Sequence, residues 1–176
     1  MVRKVACWMI ALTVVLLAAV PVFAQPDRSS VGLGVSVGAA WPQASSDHVS
    51  VGSLPEIDDW ATSFNWGFYV DIPIIWTFHI TPSAELYKFG DENATDIALA
   101  FKFIIPVWKL DLYVGCVPGL TAVGNDTLFH VGGVAGVSFN LFSTLDLFVQ
   151  AMYKVMFVSD HNVRVLHANL GVLYHF

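Results

Sequence analysis

The chain has 176 residues, of which 56% are hydrophobic, and carries a formal net charge of −6 at pH 7. This length suits a single domain, and the acidic balance argues against nucleic acid as a partner, because a polyanion would be repelled. Only two cysteines are present, Cys7 and Cys116, which excludes a framework of several disulfides.

The N-terminus has the pattern of a secretory signal peptide. Arg3 and Lys4 form a basic start, a long apolar run follows, and Ala24 ends a small-residue cleavage site. We therefore expect residues 1–24 to be removed and residues 25–176 to form the exported domain. Without Arg3 and Lys4, the exported chain keeps six basic residues against fourteen acidic ones.

The rest of the chain alternates between apolar residues and small or polar ones. A period of two predicts strands, and segments of about 9 to 11 residues match the tilted strands that cross a membrane. No run approaches the ~20 apolar residues that a spanning helix needs. The predicted strands cover residues 31–41, 64–74, 77–89, 95–105, 110–122, 128–141, 145–158 and 167–176.

Each predicted strand has a bulky apolar face and a face of glycine, small polar and charged residues. The last strand, for example, puts Leu170, Val172, Tyr174 and Phe176 on one face, up to the final residue. Even strand lengths, aromatic residues at strand ends and an export signal are typical of a barrel whose bulky face contacts lipid. We therefore predict an all-β fold, an eight-stranded antiparallel up-and-down transmembrane β-barrel.

The predicted connections alternate between short apolar turns and longer polar loops. Residues 42–63 form the longest loop, and GDENA, VGNDT and SDHN form the others on the same side. Outer-membrane barrels have short periplasmic turns and longer external loops, so both termini should lie in the periplasm. Symmetry about the turn centres predicts the pairs Lys154–His167, Gln150–Gly171, Asp146–His175 and Lys102–Tyr113, all on the inner face.

The C-terminal strand carries Asn169, Gly171, Tyr174 and Phe176, a spacing that resembles the C-terminal insertion signal of outer-membrane barrels. Together with the leader and the eight strands, the whole chain resembles the small outer-membrane β-barrel domain family of Gram-negative bacteria, of the OmpA, OmpW and OmpX type. The resemblance implies a monomer in the bacterial outer membrane. It also implies contact with outer-membrane lipid and recognition of the C-terminal strand by the barrel assembly machinery.

Polar residues on the inner face are expected to pair with one another. An eight-stranded barrel is only about wide enough for side chains to fill, and charges removed from water must be paired. We expect Glu85 to pair with Lys102, and His130 and Asn169 are further inward candidates. The predicted lumen polar network is Asp71, Glu85, Lys102, Asp111, Asp146, Gln150, Lys154, His167 and His175.

The predicted function is a structural or surface-interaction role, without enzymatic activity, cofactor or metal. The acidic loop 42–63 is the candidate for an external contact or for gating a lateral route. A narrow porin-like or lateral conduit for small or hydrophobic solutes is the alternative. A lipid-modifying enzyme is a more distant one: Ser159, Asp160 and His161 have catalytic side-chain types, but consecutive residues rarely face one another and predict a turn.

Overall fold

The computed structural model describes residues 30–44, 62–89, 92–158 and 162–176. The predicted signal peptide, residues 1–24, lies outside this part of the chain. No helix among the described residues is long and apolar enough to cross a membrane. The strands are β1 (Gly32–Ala44), β2 (Ser63–Ile75), β3 (Phe78–Phe89), β4 (Glu92–Val107), β5 (Leu110–Val123), β6 (Asp126–Phe142), β7 (Leu145–Phe157) and β8 (Asn162–His175).

The eight strands form one closed antiparallel barrel, as predicted. Each strand pairs with the next, and β8 pairs with β1 from Gly32–His175 to Ala44–Val163. Closure removes the unpaired sheet edge that a bilayer does not tolerate. The apolar stripe at the C-terminus therefore belongs to a paired strand. The turns after β2, β4 and β6 lie at the end that holds the termini of the barrel, which we call the periplasmic end.

Several predicted boundaries are wrong. β1 ends at Ala44 and not at residue 41, and β4 begins at Glu92 and not at residue 95, so the last three residues of the predicted loop GDENA belong to a strand. The strand β8 begins at Asn162 and not at residue 167, because its polar first residues alternate with Val163 and Val165 and continue the ladder. VGNDT is not a longer loop but a two-residue turn at Gly124 and Asn125. Gly124 takes a φ of 57°, which a residue without a Cβ adopts at little cost.

The predicted register of two hairpins is wrong by two residues. In β4–β5 the turn centres on Trp108 and Lys109, since Trp108 adopts a left-handed φ of 58°. In β7–β8 the last pair is Phe157–Asn162, so the centre of the hairpin lies one residue before the centre of SDHN. Each residue of β7 therefore pairs two positions away from its predicted partner. A shift of two keeps every side chain on its predicted face. The observed pairs are Lys102–Gly115, Lys154–Val165, Gln150–Asn169 and Asp146–Leu173.

Bulky apolar side chains point outward, as the alternation predicts. Leu33, Phe68 and Ile97 are 49%, 52% and 64% exposed on the outer face. At the periplasmic end, Trp76 and Trp108 are exposed at turn tips. A continuous apolar surface with aromatic residues at its border matches the lipid-facing belt of a transmembrane barrel.

Glycines on the inner face make room for large lumen side chains on neighbouring strands. A Cβ at Gly119 would lie 2.6 Å from the imidazole of His130, and a Cβ at Gly67 would lie 2.8 Å from Cγ of Glu85. Such distances are too short for unstrained packing, so these positions require glycine. The paired residues are Gly67–Glu85, Gly115–Lys102, Gly119–His130 and Gly132–Lys154.

Two adjacent glycines of β6 provide a matched test. A Cβ at Gly132 would overlap the carbonyl oxygen of Tyr153, whereas a Cβ at the outward-facing Gly133 meets nothing closer than 3.7 Å. We expect Gly132→Ala to lower the free energy of unfolding by about 1–3 kcal/mol and Gly133→Ala to change it by less than about 0.5 kcal/mol. Urea unfolding of the refolded barrel in lipid vesicles measures both, and equal effects would contradict the assigned faces.

Candidate functional site: the barrel lumen

Five titratable side chains from five strands meet inside the barrel. Lys154 Nζ lies 3.1 Å from Glu85 Oε2 and 3.1 Å from Asp96 Oδ1. On either side, His167 Nδ1 lies 3.2 Å from Glu85 Oε2, and His130 Nε2 lies 3.0 Å from Asp96 Oδ2. None of the five is more than 1% exposed. We call Glu85, Asp96, His130, Lys154 and His167 the central network.

Neutral polar side chains donate further hydrogen bonds to the two carboxylates. Thr121 Oγ1 donates to Asp96 Oδ2 at 2.7 Å, and Asn169 Nδ2 donates to Glu85 Oε1 at 2.8 Å. The Tyr69 hydroxyl also donates to Glu85 Oε1. Buried charges cost several kcal/mol each unless hydrogen bonds and counter-charges compensate them. These donors and Lys154 supply that compensation.

A second polar group lies on β2 and β3, towards the periplasmic end. Asp71 Oδ1 accepts a hydrogen bond from Thr81 Oγ1 at 2.7 Å, and Asp71 Oδ2 lies 2.6 Å from His79 Nδ1. On β4, Lys102 Nζ lies 4.8 Å from the centroid of the Tyr113 ring, within the range of a cation–π contact. This part of the lumen is therefore also filled by side chains.

The periplasmic mouth holds a third group. Asp146 Oδ1 accepts a hydrogen bond from Asn140 Nδ2 at 2.7 Å, and Asp146 Oδ2 lies 3.2 Å from His175 Nε2. Asp111 is buried, with 3% of its surface exposed. The polar content of the lumen thus extends from the central network to the end that holds the termini.

The extracellular end of the lumen is apolar. Its side chains pack together in one cluster, which we call the apolar layer, and none of them is more than 7% exposed. Water entering this layer would find few hydrogen-bond partners. The apolar layer consists of Ala40, Tyr87, Phe89, Ala94, Val123, Leu128, Met156, Val163 and Val165.

The nine residues of the predicted lumen network all lie on the inner face. Eight are buried, and His175 is half-buried. The expected pair of Glu85 with Lys102 is wrong, because the β3–β4 register places Lys102 opposite His79 and Asp96 opposite Glu85. In the structure Lys154 and His167 contact Glu85 directly. Gln150 is joined to Glu85 through the Tyr69 hydroxyl, which accepts from Gln150 Nε2 and donates to Glu85 Oε1.

The predicted network omits several residues that form ion pairs or hydrogen bonds within it. Asp96 and Tyr69 each contact other members directly. Asn65 Nδ2 donates to Asn169 Oδ1 at 2.7 Å. The alternation already places all three on the inner face. The alternation does not predict which strands contact one another across the lumen.

The predicted insertion-signal residues have mixed locations. Asn169 points into the lumen and Gly171 packs against Phe148, while Tyr174 and Phe176 face outward with ring centroids 5.2 Å apart. Their role in insertion stays a prediction. The triplet 159–161 lies outside the described residues. Within the described part of the chain, no group of three or more His, Cys, Asp or Glu residues could hold a metal ion.

Removing the ammonium group of Lys154 should leave two buried carboxylates without their shared counter-charge. We expect Lys154→Met to lower the free energy of unfolding by about 3–5 kcal/mol. Lys109→Met should change it by no more than about 1 kcal/mol, because this ammonium group is exposed and lies 5.4 Å from the centroid of the Trp108 ring. Adding Glu85→Gln and Asp96→Asn to Lys154→Met should recover part of the loss. Urea unfolding tests the series, and a triple variant no more stable than Lys154→Met would contradict the assignment.

Comparison with known proteins supports the fold and leaves the activity open. No protein-family model matches the chain, and no curated protein sequence matches it.

Among solved structures, Neisserial surface protein A (NspA) is 16% identical, with a TM-score of 0.66 over 83% of this chain and 97% of that one. A transmembrane β-barrel designed de novo is 12% identical, with a TM-score of 0.52 over 87% and 100%. The outer membrane enzyme PagL is 14% identical, with a TM-score of 0.50 over 82% and 99%. The chain therefore has the fold of the small eight-stranded barrels of the bacterial outer membrane, which agrees with the location that its sequence predicts.

Proposed function

We propose that this protein is a structural or surface-interaction barrel of the outer membrane, with a lumen that does not conduct. The supporting observation is the filled cross-section. The central network crosses the lumen, and the apolar layer lies between it and the extracellular end. An ion would have to separate Lys154 from both carboxylates and then cross the apolar layer, whose described residues offer few polar partners.

The surface-interaction part of the proposal rests on the connection between β1 and β2. The two strands end and begin at Ala44 and Ser63, whereas the turns at 76–77, 108–109, 124–125 and 143–144 have only two residues. Loops carry binding functions more often than the scaffold that holds them. The connection includes acidic residues and an aromatic residue, and the solved structure NspA is named a surface protein.

We further propose that the barrel acts as a monomer and that its C-terminal strand is the segment recognised by the barrel assembly machinery. The aromatic Tyr174 and Phe176 face outward at the periplasmic end, where an assembly factor in the periplasm or membrane has access to them. Asn169 and Gly171 are instead committed to lumen packing.

Planar-bilayer recording tests the closed lumen. Refolded protein should show no conductance steps, because a continuous water column does not pass the central network and the apolar layer. A porin reconstituted in parallel is the positive control. Reproducible steps from the wild-type barrel would contradict the proposal and favour the conduit. Activity on lipid A, detected by mass analysis, would favour the enzyme, which the shared fold with PagL does not assign.

Shortening the first external connection tests the surface-interaction role. Residues 45–62 are replaced by a flexible six-residue Gly-Ser linker, because β1 continues to Ala44, beyond the last β1–β2 pair Ala40–Ser63, and a two-residue turn would not span that offset. We expect the barrel to fold, because shortening the loop leaves the ladders intact. Binding to host-cell or bacterial surfaces should fall at least about tenfold, which corresponds to a loss of about 1.4 kcal/mol of binding free energy. Unchanged adhesion and unchanged solute uptake would contradict a role for this connection.

A further inference from the structure

Two prolines interrupt the ladders on the two sides of the β3–β4 hairpin. Pro82 lies on β3 and Pro118 on β5. Proline has no N–H to donate and is rare inside paired strands. The pairs that border the two gaps are Tyr69–Ser83 and Ile72–Ile80 in β2–β3, and Ala98–Gly119 and Phe101–Cys116 in β4–β5.

Both gaps lie in a single row across the barrel wall. Pro82 pairs with Leu99 on β4, and Leu99 is the position opposite Pro118 in the β4–β5 register. Above this row, the β2–β3 pairs stop at Trp66–Leu86, so the last residues of β3 extend beyond the pairing with β2. The extracellular part of the hairpin, residues 83–89 and 92–98, is thus attached to its neighbours by short ladders. We call it the wall segment.

Below the row, side chains replace the missing backbone contact. The hydrogen bond from Thr81 Oγ1 to Asp71 Oδ1, at 2.7 Å, joins β3 to β2 within the gap, between two residues whose backbones are not paired. His79 Nδ1 adds a second contact to Asp71, at 2.6 Å. Above the row, the side-chain contacts of the wall segment with β2 and β5 run through its two carboxylates, from Tyr69 to Glu85 and from Thr121 to Asp96. The attachment of the wall segment therefore depends on these two carboxylates staying in place.

The wall segment also carries two like charges that face each other. Glu85 on β3 pairs directly with Asp96 on β4, an arrangement that is destabilising by itself. Lys154, from β7, lies 3.1 Å from both carboxylates. The other members of the central network each reach one carboxylate. Lys154 is therefore the group that offsets both charges at once.

We propose that the wall segment is a movable part of the barrel wall and that Lys154 holds it closed by bridging Glu85 and Asp96 from β7. When the bridge is present, the barrel is continuous and the lumen is filled. When Lys154 withdraws, the two carboxylates repel each other, and the β2–β3 seam opens at the row of Pro82 and Pro118. The inference concerns the motion of the wall and does not depend on the surface-interaction role proposed above.

Amide hydrogen exchange, read by NMR on the refolded barrel in detergent micelles, tests this proposal. In the wild type, amides of the wall segment should exchange at least about tenfold faster than those of the β5–β6 and β1–β8 ladders, as expected for local opening. Lys154→Met should accelerate exchange in the wall segment at least about tenfold more than in the two reference ladders. Uniform exchange in the wild type, or uniform acceleration in the variant, would overturn the proposal.

A second variant tests whether the row of Pro82 and Pro118 is the hinge of the wall segment, and it leaves the central network unchanged. Pro82→Val and Pro118→Val restore both ladder donors, and valine suits an outward-facing strand position. The double variant should slow exchange in the wall segment by about tenfold while the reference ladders stay unchanged. Unchanged exchange in the wall segment would overturn the assignment of the row as the hinge. This variant and the wild type decide the question even where Lys154→Met fails to fold.

Discussion

Every backbone N–H and C=O in a bilayer must find its partner within the protein, and the rest of this structure depends on that constraint. It requires β8 to pair with β1, which carries the C-terminal strand into the sheet as far as His175. Closure with eight strands fixes a narrow lumen. The narrow lumen in turn forces polar side chains on the inner face either to pair with one another or to be absent.

The lumen follows from this limit on space and charge. Glycine occupies inner positions beside Glu85, His130 and Lys154, because a Cβ there would collide with a neighbouring side chain or carbonyl. Lys154 then offsets two carboxylates, and the apolar layer excludes water from the extracellular end. Two of the gaps in the ladders lie at Pro82 and Pro118, and they flank the hairpin that carries both carboxylates. The filled lumen and the proposed motion of the wall segment thus depend on the same few residues.

Alternation in the sequence was enough to predict the strand number, the closed topology and the face on which each residue lies. It was not enough to fix the register, because a shift of two residues preserves every face, and the positions of the turns depend on local backbone geometry such as the left-handed Trp108. The contact of Glu85 with Lys154 joins β3 to β7, strands that are not neighbours. Such contacts depend on the stagger of the whole barrel, which no local pattern contains.

The central claim is that bulky side chains contact lipid while the lumen is closed and filled. Methyl NOE measurements on the barrel in lipid nanodiscs test it most directly. The methyl groups of Leu33, Ile97 and Val149, which are exposed on the outer face, should show NOEs to acyl chains. Those of Val117, Val134 and Val165, which are at most 2% exposed, should show NOEs to neither lipid nor water. Acyl-chain NOEs at the second set, or water NOEs across it, would contradict the account.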